Sequence, residues 1–94
     1  MPHARLALFP EGTQQQHEAI AECLGDAHIH APGRLIFAAG ATPEGFQIVQ
    51  VWETREQLEQ WVQAHLGKAM AQAGSRGYKY PPRITDFEVP EVRF

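Results

Sequence analysis

The chain has 94 residues, a formal charge of −3 and a hydrophobic fraction of 44%, which are values typical of one small domain spanning residues 1–94. Its eight Lys and Arg residues are scattered and form no basic stripe, so nucleic acid is not an expected partner. No apolar run approaches the roughly 18 residues of a membrane span and no signal peptide is evident, so we expect a cytoplasmic protein that does not contact membranes.

The first predicted elements are a strand and a short helix. Residues 4–10 alternate loosely between apolar and polar positions and end in a Pro-Glu-Gly turn. Thr13 stands at an N-cap position with Gln16 three residues later, which is the spacing of a capping box, and Gly25 marks the helix end. The apolar stripe of this helix consists of Ile20, Cys23 and Leu24.

Two apolar runs, residues 34–41 and 46–53, are separated by a four-residue turn and therefore predict a β-hairpin. Strict alternation would place Leu35 and Phe37 on one face of the second strand and Ile36 on the other. Neither face of the hairpin is polar. A small antiparallel sheet with helices on one side normally shows water-facing polar residues on its other side, so we expect a second subunit to cover the free face.

After the hairpin, the sequence predicts a second helix and then a last strand. Thr54 is its predicted N-cap and Gly74 its end, and His65 falls on its apolar stripe. Gly67 interrupts the helix interior, which predicts a kink or a close backbone approach. Residues 75–82 predict a loop and residues 83–90 an edge strand.

The element order strand, helix, strand, strand, helix, strand predicts a ferredoxin-like α+β fold. In this βαββαβ arrangement a four-stranded antiparallel sheet carries two helices on one face. The fold class fixes no reaction.

The passage GFQIVQVWETREQLEQWVQAHLGKAMAQAG, followed by PPRITDFEVPEV, resembles the dimeric α/β-barrel superfamily, in particular its branch similar to antibiotic-biosynthesis monooxygenases. The resemblance implies a homodimer in which two sheets pack through their helix-free faces into a barrel, with an apolar cavity in each protomer. Members include cofactor-independent monooxygenases of aromatic hydroxyl compounds, haem-degrading enzymes and proteins without assigned activity. The haem-degrading members use an Asn, Trp and His set, whereas this chain contains no Asn.

Several residues are candidates for a site. His65 could act as a base, because a partly buried imidazole titrates near neutrality. Arg34 could bind a ligand carboxylate or phenolate, although a solvated arginine at a strand end is the more common case. The aromatic candidates, which could hold a planar ligand or simply fill the core, are Phe37, Trp52, Tyr78 and Tyr80.

Asp26, His28 and His30 have an alternate spacing that would suit a metal if the segment were extended, but the segment reads as a loop without a further ligand. No metal and no cofactor are therefore predicted. The preferred function is binding of a small aromatic or apolar molecule in the barrel cavity, with cofactor-independent monooxygenation as its extension. The alternatives are a non-catalytic stress-associated or accessory dimeric domain, and haem or metal binding.

Overall fold

The computed structural model describes residues 1–93 and has the predicted βαββαβ order. The strands are β1 (His3–Pro10), β2 (Arg34–Thr42), β3 (Gly45–Trp52) and β4 (Arg83–Glu88), and the helices are α1 (Gln14–Leu24), α2 (Asp26–Ile29), α3 (Arg55–Trp61) and α4 (Gly67–Ala73). A π-helical segment, Val62–Leu66, joins α3 to α4, and a 3₁₀ turn, Gly74–Arg76, follows α4. The ferredoxin-like α+β prediction is confirmed. The last strand is shorter than predicted, because β4 ends at Glu88 and does not reach Pro90.

The four strands form one antiparallel sheet in the order β2-β3-β1-β4. In the centre of the sheet, Ala7 pairs with Ile48 on one side and with Ile84 on the other, so these three side chains share a face. The helices pack on this face. None of the helices within residues 1–93 has the length and apolar character needed to cross a bilayer.

A bulge at the start of β2 changes which side chains share a face. Arg34 pairs with Trp52 and Ile36 pairs with Val51, so Leu35 is an extra residue in the ladder. The strict alternation predicted from the sequence is therefore wrong at this point. The bulge places Arg34 on the same face as Phe37, towards the helices.

Side-chain caps fix where the two long helical regions begin. Thr13 Oγ1 accepts the backbone N–H of Gln16 at 3.1 Å, and Gln16 Oε1 accepts the backbone N–H of Thr13 at 3.0 Å, which completes the predicted capping box. Thr54 Oγ1 accepts the backbone N–H of Gln57 at 3.2 Å. These bonds satisfy amide groups that the first helical turn leaves unpaired.

The second helical region contains the π-helical segment in place of the predicted kink at Gly67. A Cβ added at Gly67 would have no heavy atom within 4 Å, so the glycine does not mark a close backbone approach. His65 lies within the π-helical segment and is exposed. The expectation that His65 belongs to the buried stripe is wrong, because the wider turn changes the phase of the helix by part of a residue.

Two apolar clusters join the helices to each other and to the sheet. Trp52, Leu58 and Trp61 form one, in which Trp52 and Leu58 are fully buried. The other cluster consists of Ile20, Ala69 and Ala73. Trp52 thus anchors the end of β3 to the helix that directly follows it.

The opposite face of the sheet is mainly apolar, with Gln47, Arg83 and Thr85 as its polar residues, and no helix of residues 1–93 packs on it. We call it the helix-free face. The register places these residues on it: Ala4, Leu6, Leu8, Ile36, Ala38, Val49, Val51 and Phe87. Phe87 remains 49% exposed. The register confirms the prediction that both faces of the β2–β3 hairpin carry apolar residues.

Candidate functional site

A cavity of about 240 Å³ lies between the sheet and the helices. Its floor is formed by side chains of all four strands, and its roof by side chains of α1, α3, the π-helical segment and α4. The apolar residues that line it are Ala7, Phe9, Ile20, Leu24, Phe37, Ile48, Trp61, Val62, Leu66, Met70, Pro82 and Ile84. The volume is below the roughly 300–1,000 Å³ typical of pockets for drug-sized ligands, so the cavity suits a molecule of one or two rings.

Five polar side chains also reach the cavity wall: Arg5, His17, His28, Gln50 and Tyr78. Arg5 is neutralised, because its Nε and Nη2 donate to Asp86 at 2.8 and 2.9 Å. This bidentate hydrogen bond raises the pKa of Arg5 and lowers that of Asp86. Gln50 accepts the indole N–H of Trp52 at 3.1 Å. The Gln50 side-chain NH₂ group, His17, His28 and Tyr78 therefore remain as the polar groups of the wall available to a ligand.

His17 and Tyr78 form a pair in the wall. The Tyr78 hydroxyl lies 3.3 Å from His17 Nδ1, and its ring stacks on Phe9 with a centroid distance of 3.7 Å. Burial raises the pKa of Tyr78 above its usual range. Burial, and secondly the charge that His28 would carry, lowers the pKa of His17. At neutral pH the pair is a phenol beside a neutral imidazole that can accept a proton.

His28 and Arg34 form a second polar group at the β2 end of the cavity. Arg34 Nη2 donates to the backbone carbonyl of His28, and the guanidinium carbon lies 4.7 Å from the Phe37 ring centroid and 5.7 Å from that of Trp61. Burial lowers the pKa of both residues, and the Arg34 charge lowers that of His28 further. His28 Nδ1 and Arg34 Nη1 are buried and have no hydrogen-bond partner in the described chain.

The cavity brings together some of the residues predicted from the sequence and leaves others outside. Phe37 and Tyr78 line it, and Arg34 lies behind its wall. Trp52 is fully buried in the core beneath. Tyr80 is 47% exposed and does not line the cavity, and neither does His65.

The sequence interpretation did not predict that His17 and His28 line the cavity. His17, Ile20 and Leu24 have the spacing i, i+3 and i+7, so the stripe of α1 could have indicated that His17 faces inwards. No such signal exists for His28. It follows the break at Gly25, and the segment predicted as a loop forms the short helix α2.

The structure also separates the three residues considered as metal ligands. His28 lines the cavity, whereas Asp26 and His30 are exposed. Among residues 1–93, no group of three or more His, Cys, Asp or Glu side chains is placed to hold a metal ion.

No protein-family model matches the chain, and the sequence of no curated protein matches it. Solved structures do. A candidate antibiotic biosynthesis monooxygenase from Chloroflexus aurantiacus J-10-fl superposes with a TM-score of 0.73 at 14% identity, covering 100% of this chain and 98% of that one. A dimeric ferredoxin-like protein of unknown function from Thermobifida fusca YX gives a TM-score of 0.69 at 17% identity, with 95% and 92% covered.

The likeness is one of fold. It extends to a monooxygenase from the gene ActVA-Orf6 of Streptomyces coelicolor, whose structure holds the ligand nanaomycin D. That protein gives a TM-score of 0.58 at 18% identity and covers 99% of this chain and 90% of its own. The neighbours thus have the fold of the monooxygenase-like branch that the sequence resembles, and at least one of them is dimeric.

Proposed function

We propose that the protein binds a small aromatic molecule of one or two rings in the cavity between its sheet and its helices. The observation that carries this proposal is the cavity itself, which has aromatic and aliphatic walls and a His17–Tyr78 pair at its edge. Phe37 and Trp61 would contact the ring by stacking or by their edges. The liganded monooxygenase from Streptomyces coelicolor shares this fold, which supports the proposal by analogy.

The proposed chemistry is oxidation of a phenol by molecular oxygen without a cofactor. His17 would take the phenolic proton, and Tyr78 would hold the imidazole in the required orientation. For a substrate such as 1-naphthol, one atom of O₂ is added to the ring, and the other atom leaves as water. The ring loses two hydrogens and becomes a quinone. His65 is exposed and does not line this cavity, so we assign the role of base to His17.

Binding can be tested by titrating the protein with 1-naphthol and following quenching of tryptophan fluorescence, since Trp61 lines the cavity. Ile48→Phe would fill part of the cavity and should weaken binding by about tenfold or more, equivalent to about 1.4 kcal/mol. Ile29→Phe is the matched control, because Ile29 is 71% exposed on α2. Equal affinities of both variants and the original protein would place the ligand elsewhere, and absence of any binding would favour the accessory-domain alternative.

The chemical step needs its own test. His17→Gln should keep binding but lower the rate of quinone formation and oxygen consumption by about a hundredfold or more, the size of a general-base contribution. Tyr78→Phe should reduce the rate less, because the imidazole itself stays in place. An unchanged rate in His17→Gln would remove this residue from the mechanism. Absence of quinone with the original protein would limit the function to binding.

We also propose that two copies of the chain associate through the helix-free face. Supporting this, the face is apolar over three central positions, Leu6, Val49 and Val51, and no helix within residues 1–93 packs on it. Native mass spectrometry should give the mass of a dimer. Leu6→Asp should yield a folded monomer, whereas Gln60→Asp, on the exposed side of α3, should remain dimeric. A dimer that survives Leu6→Asp would rule out this interface.

A further inference from the structure

The side-chain amide of Gln50 is held in one orientation inside the protein. Its Oε1 accepts the indole N–H of Trp52 at 3.1 Å. An indole nitrogen can only donate, so the amide oxygen has to face Trp52 and the NH₂ group has to point away from it. Gln50 is 6% exposed and Trp52 is fully buried, so water has little access to this bond.

The NH₂ group of Gln50 is free to bind a ligand. No atom of the described chain accepts a hydrogen bond from Gln50 Nε2. The unpaired side-chain atoms of the same residues that are sealed from solvent belong to His3, His28 and Arg34. Gln50 Nε2 is not one of them, so it retains accessible surface. Gln50 lines the cavity, whereas Trp52, on the oxygen side of the amide, does not, so the NH₂ group faces the cavity.

The sheet fixes where this donor stands. Gln50 lies in β3, one of the two central strands, and pairs with Arg5 of β1 on one side and with Phe37 of β2 on the other. Both neighbours also line the cavity. Opposite residues of antiparallel strands have Cβ atoms about 5 Å apart, so a ligand ring that packs on Phe37 brings its edge close to the Gln50 amide.

The cavity wall carries no uncompensated charge near neutral pH. Asp86 compensates the guanidinium of Arg5. Burial lowers the pKa of His17 and of His28, so both imidazoles are neutral. An ionised ligand group would lose its water here without meeting an opposite charge in the wall, so a neutral acceptor is favoured. A hydroxyl group would need an acceptor for its own proton, whereas a carbonyl oxygen only accepts.

We propose that Gln50 selects ligands whose ring carries a carbonyl group, with the carbonyl oxygen accepting a hydrogen bond from Gln50 Nε2. The proposal rests on the proposed binding function and adds to it a specificity-determining residue and the class of ligand. Trp52 is the positioning residue, because its N–H keeps the amide from turning over. A ligand without an acceptor at this point leaves the buried NH₂ group unpaired and is thereby rejected.

The test is a calorimetric comparison of two probes of matched shape, 2-acetonaphthone and 2-isopropenylnaphthalene, in which a CH₂ group replaces the carbonyl oxygen. The alkene is the more hydrophobic probe, so the quantity to compare between proteins is the Kd of the alkene divided by that of the ketone. Gln50→Met should lower this ratio about tenfold through loss of the hydrogen bond. Gln47→Met is the matched control, because Gln47 also lies in β3 but does not line the cavity; it should leave the ratio unchanged.

A second measurement needs no variant, and it decides the question if Gln50→Met, which also leaves the Trp52 N–H unpaired, does not fold. In ¹H–¹⁵N NMR spectra of the original protein, the side-chain NH₂ protons of Gln50 should shift downfield when the ketone binds. The alkene should not cause this shift, although it places the same ring in the cavity.

An unchanged ratio in Gln50→Met, or equal shifts of the Gln50 NH₂ protons with the two probes, would overturn the role of Gln50 and the ligand class. The aromatic-binding function would then stand, since both probes bind. Failure of both probes to bind would overturn the binding function as well.

Discussion

Replacing Trp52 by phenylalanine should break a hydrogen bond that lies wholly inside the protein. The Trp52 side chain is fully buried, and its indole N–H donates to Gln50 Oε1 at 3.1 Å. Gln50 is itself only 6% exposed, so water has little access to the acceptor that loses its donor. The bond matters for the site, because Gln50 lines the cavity while Trp52 packs beneath it against Leu58 and Trp61.

The size of the effect follows from these contacts. In Trp52→Phe, an unsatisfied Gln50 acceptor costs about 1–3 kcal/mol, and a cavity of a few tens of Å³ costs about 1 kcal/mol at ~24 cal/mol per Å³. Gln50→Leu leaves the indole N–H unpaired and should cost about 1–3 kcal/mol. The double variant leaves neither group unpaired. It should therefore be more stable than the sum of the two single losses predicts, by about 2 kcal/mol.

Urea unfolding of all four proteins, followed by circular dichroism at one fixed protein concentration, measures the four free energies of unfolding. The fixed concentration matters because association of two copies makes apparent stability depend on it. Strictly additive losses would refute the reasoning, since they would mean that Trp52 and Gln50 do not depend on each other. A Trp52→Phe variant as stable as the original protein would refute it equally.

Three further outcomes are expected. Thr13→Ala should lower the free energy of unfolding by about 1 kcal/mol through loss of the capping box, whereas Thr13→Ser should restore most of it; the same urea assay checks both. The folded-state pKa values of His17 and His28 are depressed below 6.5, so the unfolded chain binds more protons near that pH, and stability should fall as the pH drops from 7 through 6.5. The double variant His17→Gln, His28→Gln should lose most of this dependence of the free energy of unfolding on pH. If the dependence is unchanged in that variant, the two histidines are not its cause. The Arg5 hydrogen bond depresses the pKa of Asp86, so Asp86→Asn should be less stable than the original protein at pH 7. Its stability should approach that of the original protein as the pH falls below 3.8, the ordinary pKa of an aspartate, which acid-unfolding curves can measure.

Local patterns were sufficient to predict the four strands and the two long helical regions in their order, but not the short helix α2. The capping spacings Thr13–Gln16 and Thr54–Gln57 depend on neighbours three residues apart, and both form as predicted. The apolar runs of the hairpin likewise reflect burial on both faces of the sheet. Such features are readable from sequence because every group involved lies within a few residues of the others.

The structure brings only some of the predicted site residues to the cavity, for reasons that depend on long-range packing. The expectation for His65 assumed an ideal helical period, and the π-helical segment changed that period. Tyr78, a predicted ligand-binding residue, lines the cavity, but its partner His17 is 61 residues away in sequence, and no local sequence pattern relates the two. Tyr80, two residues further, turns outwards.

The sequence by itself determined a ferredoxin-like sheet with apolar residues on both faces, since alternation and capping are properties of short segments. Only the tertiary structure decided that a bulge at Leu35 directs Arg34 inwards and that α2 brings His28 next to it. It also decided that a cavity remains between the sheet and the helices. These features arise from the packing of elements that are distant in sequence. That packing sets the hydrogen-bond partners of each residue and its access to solvent, and no local sequence pattern encodes it.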